Sequence, residues 1–145
     1  MSLVLFDTAI FVYAAGGESP HREPCRALLE LAGAGSVSAV VSADLLQEFV
    51  HQRARKTGDR RLAVEQAHEI PGTCAVLDLT LQDAERALDL FAAHPELHAR
   101  DAVFAAVALE RNIRHVISPD RAFDAVPGLV RVDPLDADAV AALTA

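Results

Sequence analysis

The sequence predicts an alternating α/β domain with a mostly parallel central sheet of four to five strands. Short apolar runs rich in β-branched residues alternate with longer stretches in which apolar residues recur at helical spacing. Strands that alternate with helices pair in parallel through right-handed crossovers, so the carboxyl ends of the strands should gather at one edge of the sheet. With 145 residues, the chain is expected to form one domain, residues 1–145, whose core needs no disulfide or structural metal.

The first strand is predicted at 3–6, an apolar run that stops at Asp7. Small residues follow, and a helix is expected from about Ala9. Asp7 should therefore lie at the carboxyl end of a buried parallel strand, where open α/β sheets bind their ligands. Taken alone, however, Asp7 is better explained as the N-cap of this helix, because aspartate is strongly preferred at that position.

The later elements continue the alternation. Strands are predicted at 37–41, 74–77, 116–117 and 130–132. Helices are predicted at 25–32, 43–56, 81–93, 102–109 and 135–143, and one more follows the break at 57–59 and ends near residue 69. Ser42 and Thr80 are expected to cap the helices that follow them. Pro71 and Gly72 should turn the chain into the third strand. The apolar series of the helix 81–93 is expected to face the core, and its members are Leu81, Ala84, Ala87, Leu88 and Phe91.

Four acids occupy positions that this topology brings together. Asp7 and Asp120 follow strands, Asp101 opens a helix that is apolar nearly all round, and Glu48 lies at the edge of the buried stripe of the helix after the second strand. Carboxylates at one place repel one another and raise one another's pKa unless a cation compensates. A hard, oxygen-ligated ion such as Mg²⁺ or Mn²⁺ is the natural partner of such a cluster.

The motifs around these acids resemble those of the PIN domains, and within them the VapC-type toxins of toxin–antitoxin pairs. Family proteins open with an apolar strand into Asp-Thr, carry a Glu on the helix after the second strand, place Asp-Ala at the head of an Ala-rich helix, and continue with [Thr/Ser]-x-Asp-x-x-Phe and Pro-Gly-Leu. This chain has Asp7-Thr8, Glu48-Phe49, Asp101-Ala102, Ser118-Pro119-Asp120 with Phe123, and Pro127-Gly128-Leu129. The resemblance spans nearly the whole chain.

The resemblance implies a three-layer α/β/α sandwich and a metal-dependent endoribonuclease. Asp7, Asp101 and Asp120 would hold the ion, and Glu48 would bind it through water or act as a base. Ala9 departs from the family pattern, which usually has Ser or Asn there. Residues expected to support the ligands from behind are Thr8, Ser118 and Asp124.

The resemblance also implies a homodimer, inhibited by a cognate antitoxin that is small and basic. The chain carries 21 acids against 13 lysines and arginines, a net charge of −8, which excludes a protein that binds polyanions over its whole surface. Its basic residues nevertheless cluster in one stretch, a candidate RNA-binding patch whose members are Arg53, Arg55, Lys56, Arg60 and Arg61. The plainer interpretation of this stretch is a solvated helix face.

The same sequence excludes several other classes of protein and location. It lacks a signal peptide and any apolar run of about 20 residues, and its two cysteines have no CxxC spacing, so a cytoplasmic protein with reduced thiols is expected. Phosphate-binding glycine motifs and HExxH are missing. One alternative of another kind stays open, a non-catalytic PIN-like module that binds RNA or serves in assembly.

Overall fold

The computed structural model describes residues 2–144 and contains one five-stranded sheet in that part of the chain. The strands are β1 (Leu3–Phe6), β2 (Ser38–Ser42), β3 (Ala75–Leu77), β4 (His115–Ile117) and β5 (Val130–Val132). The helices are α1 (Thr8–Ala15), α2 (Arg22–Gly33), α3 (Leu45–Thr57), α4 (Arg60–Thr73), α5 (Leu81–Ala93), α6 (Ala99–Glu110) and α7 (Ala137–Ala142). A short 3₁₀ turn, Arg121–Ala125, precedes β5.

All neighbouring strands of the sheet are parallel, in the order β3-β2-β1-β4-β5. The chain first adds strands on one side of β1 and then crosses to the other side for β4 and β5. The strand order therefore reverses between β1 and β4, and in open parallel sheets the crevice at the carboxyl ends of such a strand pair is the usual ligand site.

The central strands are apolar because helices cover both faces of the sheet. Val4, Leu5 and Phe6 of β1 and Val116 and Ile117 of β4 are fully or nearly fully buried. Helices α1 to α4 pack against one another, and α5 packs against α6. Right-handed crossovers place these two groups on opposite faces of the sheet, so the predicted three-layer α/β/α sandwich is confirmed.

Helix α6 is the most buried helix segment on its face of the sheet. Ala102 and the run from Phe104 to Ala108 are closed to solvent, as the nearly continuous apolar composition of this helix predicts. Its amino end lies at the carboxyl edge of the sheet, because the helix must return the chain to the amino end of β4. That return places the first turn of α6 beside the crevice between β1 and β4.

Two boundary predictions were wrong. Ser42 does not cap α3, because it is the last residue of β2 and its hydroxyl donates a hydrogen bond to Asp44 instead. Pro71 does not end α4, which continues to Thr73. Thr80, by contrast, caps α5 as predicted, in a reciprocal pair of hydrogen bonds with Asp83.

The predicted core face of α5 was wrong for its three large apolar residues. Leu81, Leu88 and Phe91 are exposed by 76%, 70% and 50%, whereas Ala87 and the polar Asp83 are buried. The guanidinium of Arg111 in turn donates two hydrogen bonds to the Asp83 carboxylate at 2.9 Å. This ion pair draws the other face of α5 onto α6, so the apolar stripe faces outward. Within residues 2–144, the helices are too short or too polar to span a membrane.

Candidate active site

Four carboxylates converge on one cavity at the carboxyl ends of β1 and β4. This cavity, here called the acid cavity, has a volume of about 300 Å³. It is lined by Asp7, Thr8, Ala9, Glu48, Gln52, His98, Arg100, Asp101 and Asp120. Asp7 and Asp120 follow the two strands, while Glu48 and Asp101 come from the first turns of α3 and α6. The structure thus brings together the four acids that the sequence singled out.

Asp7 is the deepest of these acids, with only 6% of its surface exposed. Its backbone N–H bonds the Ile117 carbonyl at 3.0 Å, which ties the end of β1 to β4. One carboxylate oxygen accepts from the Thr8 backbone N–H at 2.7 Å, and the other accepts from the Ser118 hydroxyl at 2.6 Å. Asp7 is therefore both the N-cap of α1 and a buried wall of the acid cavity.

Burial raises the pKa of Asp7 from its ordinary 3.8 to about 7, and the charges of Asp101 and Glu48 push in the same direction. The hydrogen bonds from Ser118 and Thr8 oppose this shift without cancelling it. Burial likewise raises the pKa of Asp101 to about 6, with further contributions from the charges of Asp120 and Glu48. Without a cation, these acids destabilise one another's charged forms.

Glu48 is fixed by neighbours on two helices. Its Oε2 accepts from the Thr8 hydroxyl at 2.9 Å, and its Oε1 accepts from the Gln52 amide, one turn later on α3, at 3.0 Å. The Arg100 guanidinium lies 3.8 Å from the same Oε1. Thr8 therefore connects two acids, because its N–H holds Asp7 and its hydroxyl holds Glu48.

The other two acids are held by backbone N–H groups. Asp101 is the third residue of α6 and accepts from the backbone N–H of His98 at 3.3 Å, so His98, and not Asp101, is the N-cap. Asp120 caps the 3₁₀ turn through the N–H of Ala122 at 2.9 Å. Both carboxylates keep an oxygen for the cavity.

The supporting residues behind the acids differ in part from expectation. Ser118 contacts two of the acids, because its hydroxyl donates to the Asp7 carboxylate at 2.6 Å and accepts from the backbone N–H of Asp120 at 3.0 Å. Asp124 does not reach the cavity. It is exposed and pairs with Arg131 at 3.0 Å, whose guanidinium also donates to the Ser118 carbonyl at 3.1 Å.

The basic patch is only partly free to meet a polyanion. Arg53 is 6% exposed and donates to the Gln66 side chain at 3.1 Å across the contact between α3 and α4. Its place in the predicted patch was therefore wrong, because its guanidinium is committed to packing. Arg55, Lys56, Arg60 and Arg61 are exposed around the turn that joins the two helices.

The chemistry of the cavity fits a hard divalent cation. Its acidic lining offers carboxylate oxygens alone, the ligand type that Mg²⁺ and Mn²⁺ prefer, and both cysteines lie elsewhere in the core. Within residues 2–144, no three His, Cys, Asp or Glu side chains are already gathered tightly enough to hold an ion.

Three further cavity residues were not identified from the sequence, namely Gln52, His98 and Arg100. Each carried a signal. Gln52 stands four residues after Glu48, one helical turn away on the same face. His98 and Arg100 flank the start of α6, within three residues of Asp101.

Comparison with known proteins identifies the family. The model of the PIN domain matches residues 4–129. The chain belongs to the PIN domain family. A curated relative, Ribonuclease VapC7 of Mycobacterium tuberculosis, is 35% identical over 133 residues, which cover 91% of this chain and 92% of the relative.

Solved structures share the fold of this PIN domain. VapBC2 from Rickettsia felis, bound to a DNA fragment from its promoter, has a TM-score of 0.70 at 16% identity and covers 90% of this chain and 98% of its own. VapC20 of Mycobacterium tuberculosis, a toxin that cleaves the sarcin-ricin loop, has a TM-score of 0.68 at 18% identity, over 87% of this chain and 98% of its own. The predicted PIN-like fold is therefore confirmed.

The raised pKa of Asp7 gives the metal-free protein a defined pH dependence. In the unfolded chain this carboxyl titrates near 3.8, whereas in the folded protein it holds a proton up to about pH 7. Folding therefore takes up a proton between these values, so stability should fall as the pH rises through this window. Thermal melts in EDTA between about pH 5 and about pH 8 measure the effect.

The matched control for these melts is Asp7→Asn, which removes the titrating group with little change in shape. Its melting temperature in EDTA should depend less on pH than that of the wild type. Millimolar Mg²⁺ or Mn²⁺ should raise the wild-type melting temperature, and more so at the higher pH, where protons no longer compete. Equal pH dependence in the two proteins, or no effect of either metal, would contradict this account of the cavity.

Proposed function

We propose that this PIN domain protein is the toxin of a toxin–antitoxin pair, a cytoplasmic endoribonuclease that hydrolyses RNA phosphodiester bonds with Mg²⁺ or Mn²⁺. The observation that carries the proposal is the convergence of four carboxylates at the point where the strand order reverses. The names of its relatives, a ribonuclease and a toxin that cleaves the sarcin-ricin loop, support it. Hydrolysis of a phosphodiester bond is commonly catalysed by a divalent metal ion, and clustered carboxylates are suited to hold one.

In this proposal, Asp7, Asp101 and Asp120 hold the ion, and Glu48 binds the attacking water. A divalent ion bound there supplies Lewis-acid stabilisation of the phosphate and lowers the pKa of a water. Thr8 and Gln52 hold the two Glu48 oxygens in fixed directions, so that Glu48 can orient a water and accept its proton. The Ser118 hydroxyl keeps Asp7 turned toward the cavity.

The alternative, a non-catalytic module that binds RNA or serves in assembly, is less consistent with the burial of these acids. A rise in the pKa of Asp7 from 3.8 to about 7 corresponds to roughly 4 kcal/mol of unfavourable energy for the ionised form. A module that never binds an ion has no compensation for that cost. An enzyme recovers it when the ion binds.

The proposed partners are a homodimeric second copy and a small basic antitoxin. The solved neighbour from Rickettsia felis is a VapBC assembly, and the acidic cavity can accept an arginine from a basic partner.

For the homodimer, the support is the outward face of α5. Leu81, Leu88 and Phe91 are exposed there, and together with Ala84 they repeat at the spacing of a helix–helix seam.

Loss of a single ion ligand should remove activity and keep the fold. We expect Asp101→Asn to melt within a few degrees of the wild type in EDTA, since its amide oxygen can still accept from His98, yet to lose most RNA cleavage because a neutral amide is a poor ligand for a hard cation. Asp7→Asn should behave similarly, and the double variant should be little worse than either single one.

Asp89→Asn, an exposed acid on α5, is the matched control and should cleave RNA like the wild type. Cleavage is measured on a labelled RNA in Mg²⁺ and in Mn²⁺, with products mapped by end sequencing. Wild-type rates for a folded Asp101→Asn variant would refute the proposal and favour the non-catalytic module.

The exposed part of the basic patch should help RNA association without serving the chemistry. Replacing Arg55, Arg60 and Arg61 by Ala should raise KM more than it lowers kcat, because phosphate contacts position a polyanion and are screened by salt. The effect should be largest at low ionic strength. Unchanged kinetics at low salt would return this stretch to the solvated-face interpretation.

A charge placed on the α5 stripe should separate the proposed dimer. Leu88→Glu would bury an unpaired carboxylate at the seam, so light scattering at micromolar concentration should show a monomer where the wild type shows a dimer. Leu135→Glu, an equally polar change at an exposed leucine outside α5, is the control and should stay dimeric. A wild-type monomer, or a dimeric Leu88→Glu variant, would contradict the assignment of this face.

A further inference from the structure

Arg100 is the one lysine or arginine that lines the acid cavity within residues 2–144. The rest of the lining carries four acids on a chain of net charge −8. A phosphate that approaches this cavity is repelled by the carboxylates even when one ion compensates part of their charge. A second positive group at the cavity is therefore where the incoming phosphate should find its partner.

The position of Arg100 has no structural benefit for its helix. It is the second residue of α6, at the end of the helix dipole where cations are unfavourable and anions are favoured. Its side chain is 57% exposed, so it contributes little packing. A tight ion pair would give Arg100 a structural role, but its distance of 3.8 Å from Glu48 is not that of a tight pair.

The contact of Arg100 with Glu48 is loose. The distance of 3.8 Å from the guanidinium to Oε1 exceeds that of a hydrogen bond, and the same oxygen already accepts from Gln52 at 3.0 Å. At this length, and with the Arg100 side chain 57% exposed, the pair adds little stability. The guanidinium can therefore leave Glu48 and present its planar donor fork to a phosphate, which it matches in geometry.

We propose that Arg100 is a substrate-binding residue, which contacts the RNA phosphate that enters the acid cavity. The proposal rests on the proposed function in its choice of RNA as the ligand. The basic patch cannot contact the same phosphate, because its exposed residues lie beyond the end of α3 that is farthest from Glu48. These residues are Arg55, Lys56, Arg60 and Arg61, in the last turn of α3 and the first turn of α4. Arg100 would bind at the reacting phosphate, and the patch would bind elsewhere along the strand.

Binding to a fluorescent single-stranded RNA oligonucleotide tests the proposal without cleavage. The experiment compares Glu48→Gln, which keeps the three aspartates proposed to hold the ion but loses the proposed proton acceptor, with the double variant Arg100→Ala/Glu48→Gln by anisotropy, in Mn²⁺, over a range of salt. Loss of one phosphate contact should weaken binding roughly tenfold and reduce the slope of log K against log salt by about 0.7. Arg100→Lys should keep most of the slope and lose part of the affinity, because it keeps the charge but not the fork.

Arg114→Ala is the matched control, an exposed arginine at the amino end of β4, away from the cavity. It should leave both affinity and slope unchanged. In the otherwise wild-type enzyme, Arg100→Ala should also lower kcat/KM while Mn²⁺ affinity, measured by calorimetry, stays equal or rises. A residue that merely balances the charge of Glu48 would leave the salt slope unaltered when it is replaced.

Three outcomes overturn the proposal: no RNA binding by Glu48→Gln, an equal slope with and without Arg100, or an equal loss from Arg114→Ala. The proposed function is judged separately, by whether the wild type cleaves RNA. A wild type that cleaves while Arg100→Ala binds RNA normally refutes the role of Arg100 alone. A wild type that does not cleave refutes the proposed function, and the binding comparison still decides whether Arg100 holds a phosphate.

Discussion

The repulsion among buried carboxylates is the constraint on which the rest of this structure depends. Asp7 sits at the end of the central strand with 6% of its surface exposed, beside the charges of Asp101 and Glu48. Burial and neighbouring negative charges raise the free energy of the ionised carboxylates, so the rest of the fold must stabilise this arrangement. The buried β1 and β4 provide that scaffold, and the Ser118 hydroxyl and the Thr8 N–H supply the donors that keep Asp7 in place.

Helix geometry relieves part of the same repulsion. Asp7 is the N-cap of α1, Asp101 and Glu48 lie in the first turns of α6 and α3, and Asp120 caps a 3₁₀ turn. Asp7, Asp101 and Asp120 thus accept backbone N–H groups at the positive ends of backbone dipoles, which favour negative charge. Parallel topology makes this possible, because helices between parallel strands begin at the carboxyl edge of the sheet. The fold therefore gathers four acids at donor-rich helix starts and leaves the remaining charge for an ion to neutralise.

Much of this arrangement could be predicted from the sequence, because it follows from local patterns. Asp7 ends an apolar run and Asp101 opens an apolar helix, so topology alone directs both to one edge. The orientation of α5 could not be predicted that way, since periodicity shows that Leu88 lies on an apolar face but not which face the Arg111 ion pair will draw inward. Arg53 is a similar case, because the sequence shows only that it lies in a charged run, whereas the contact between α3 and α4 buries it. Side-chain commitments of this kind depend on tertiary neighbours.

The central claim is that the four acids form one site for a hard divalent ion, and a crystal structure of the protein grown with Mn²⁺ tests it most directly. Anomalous scattering from manganese locates the ion independently of any assumption about its ligands. The account predicts a peak in the acid cavity, with oxygens of Asp7, Asp101 or Asp120 at about 2.1 Å and a loss of that peak in Asp7→Asn crystals. A cavity without a manganese peak at millimolar Mn²⁺, or a peak bound mainly by other residues, would contradict it.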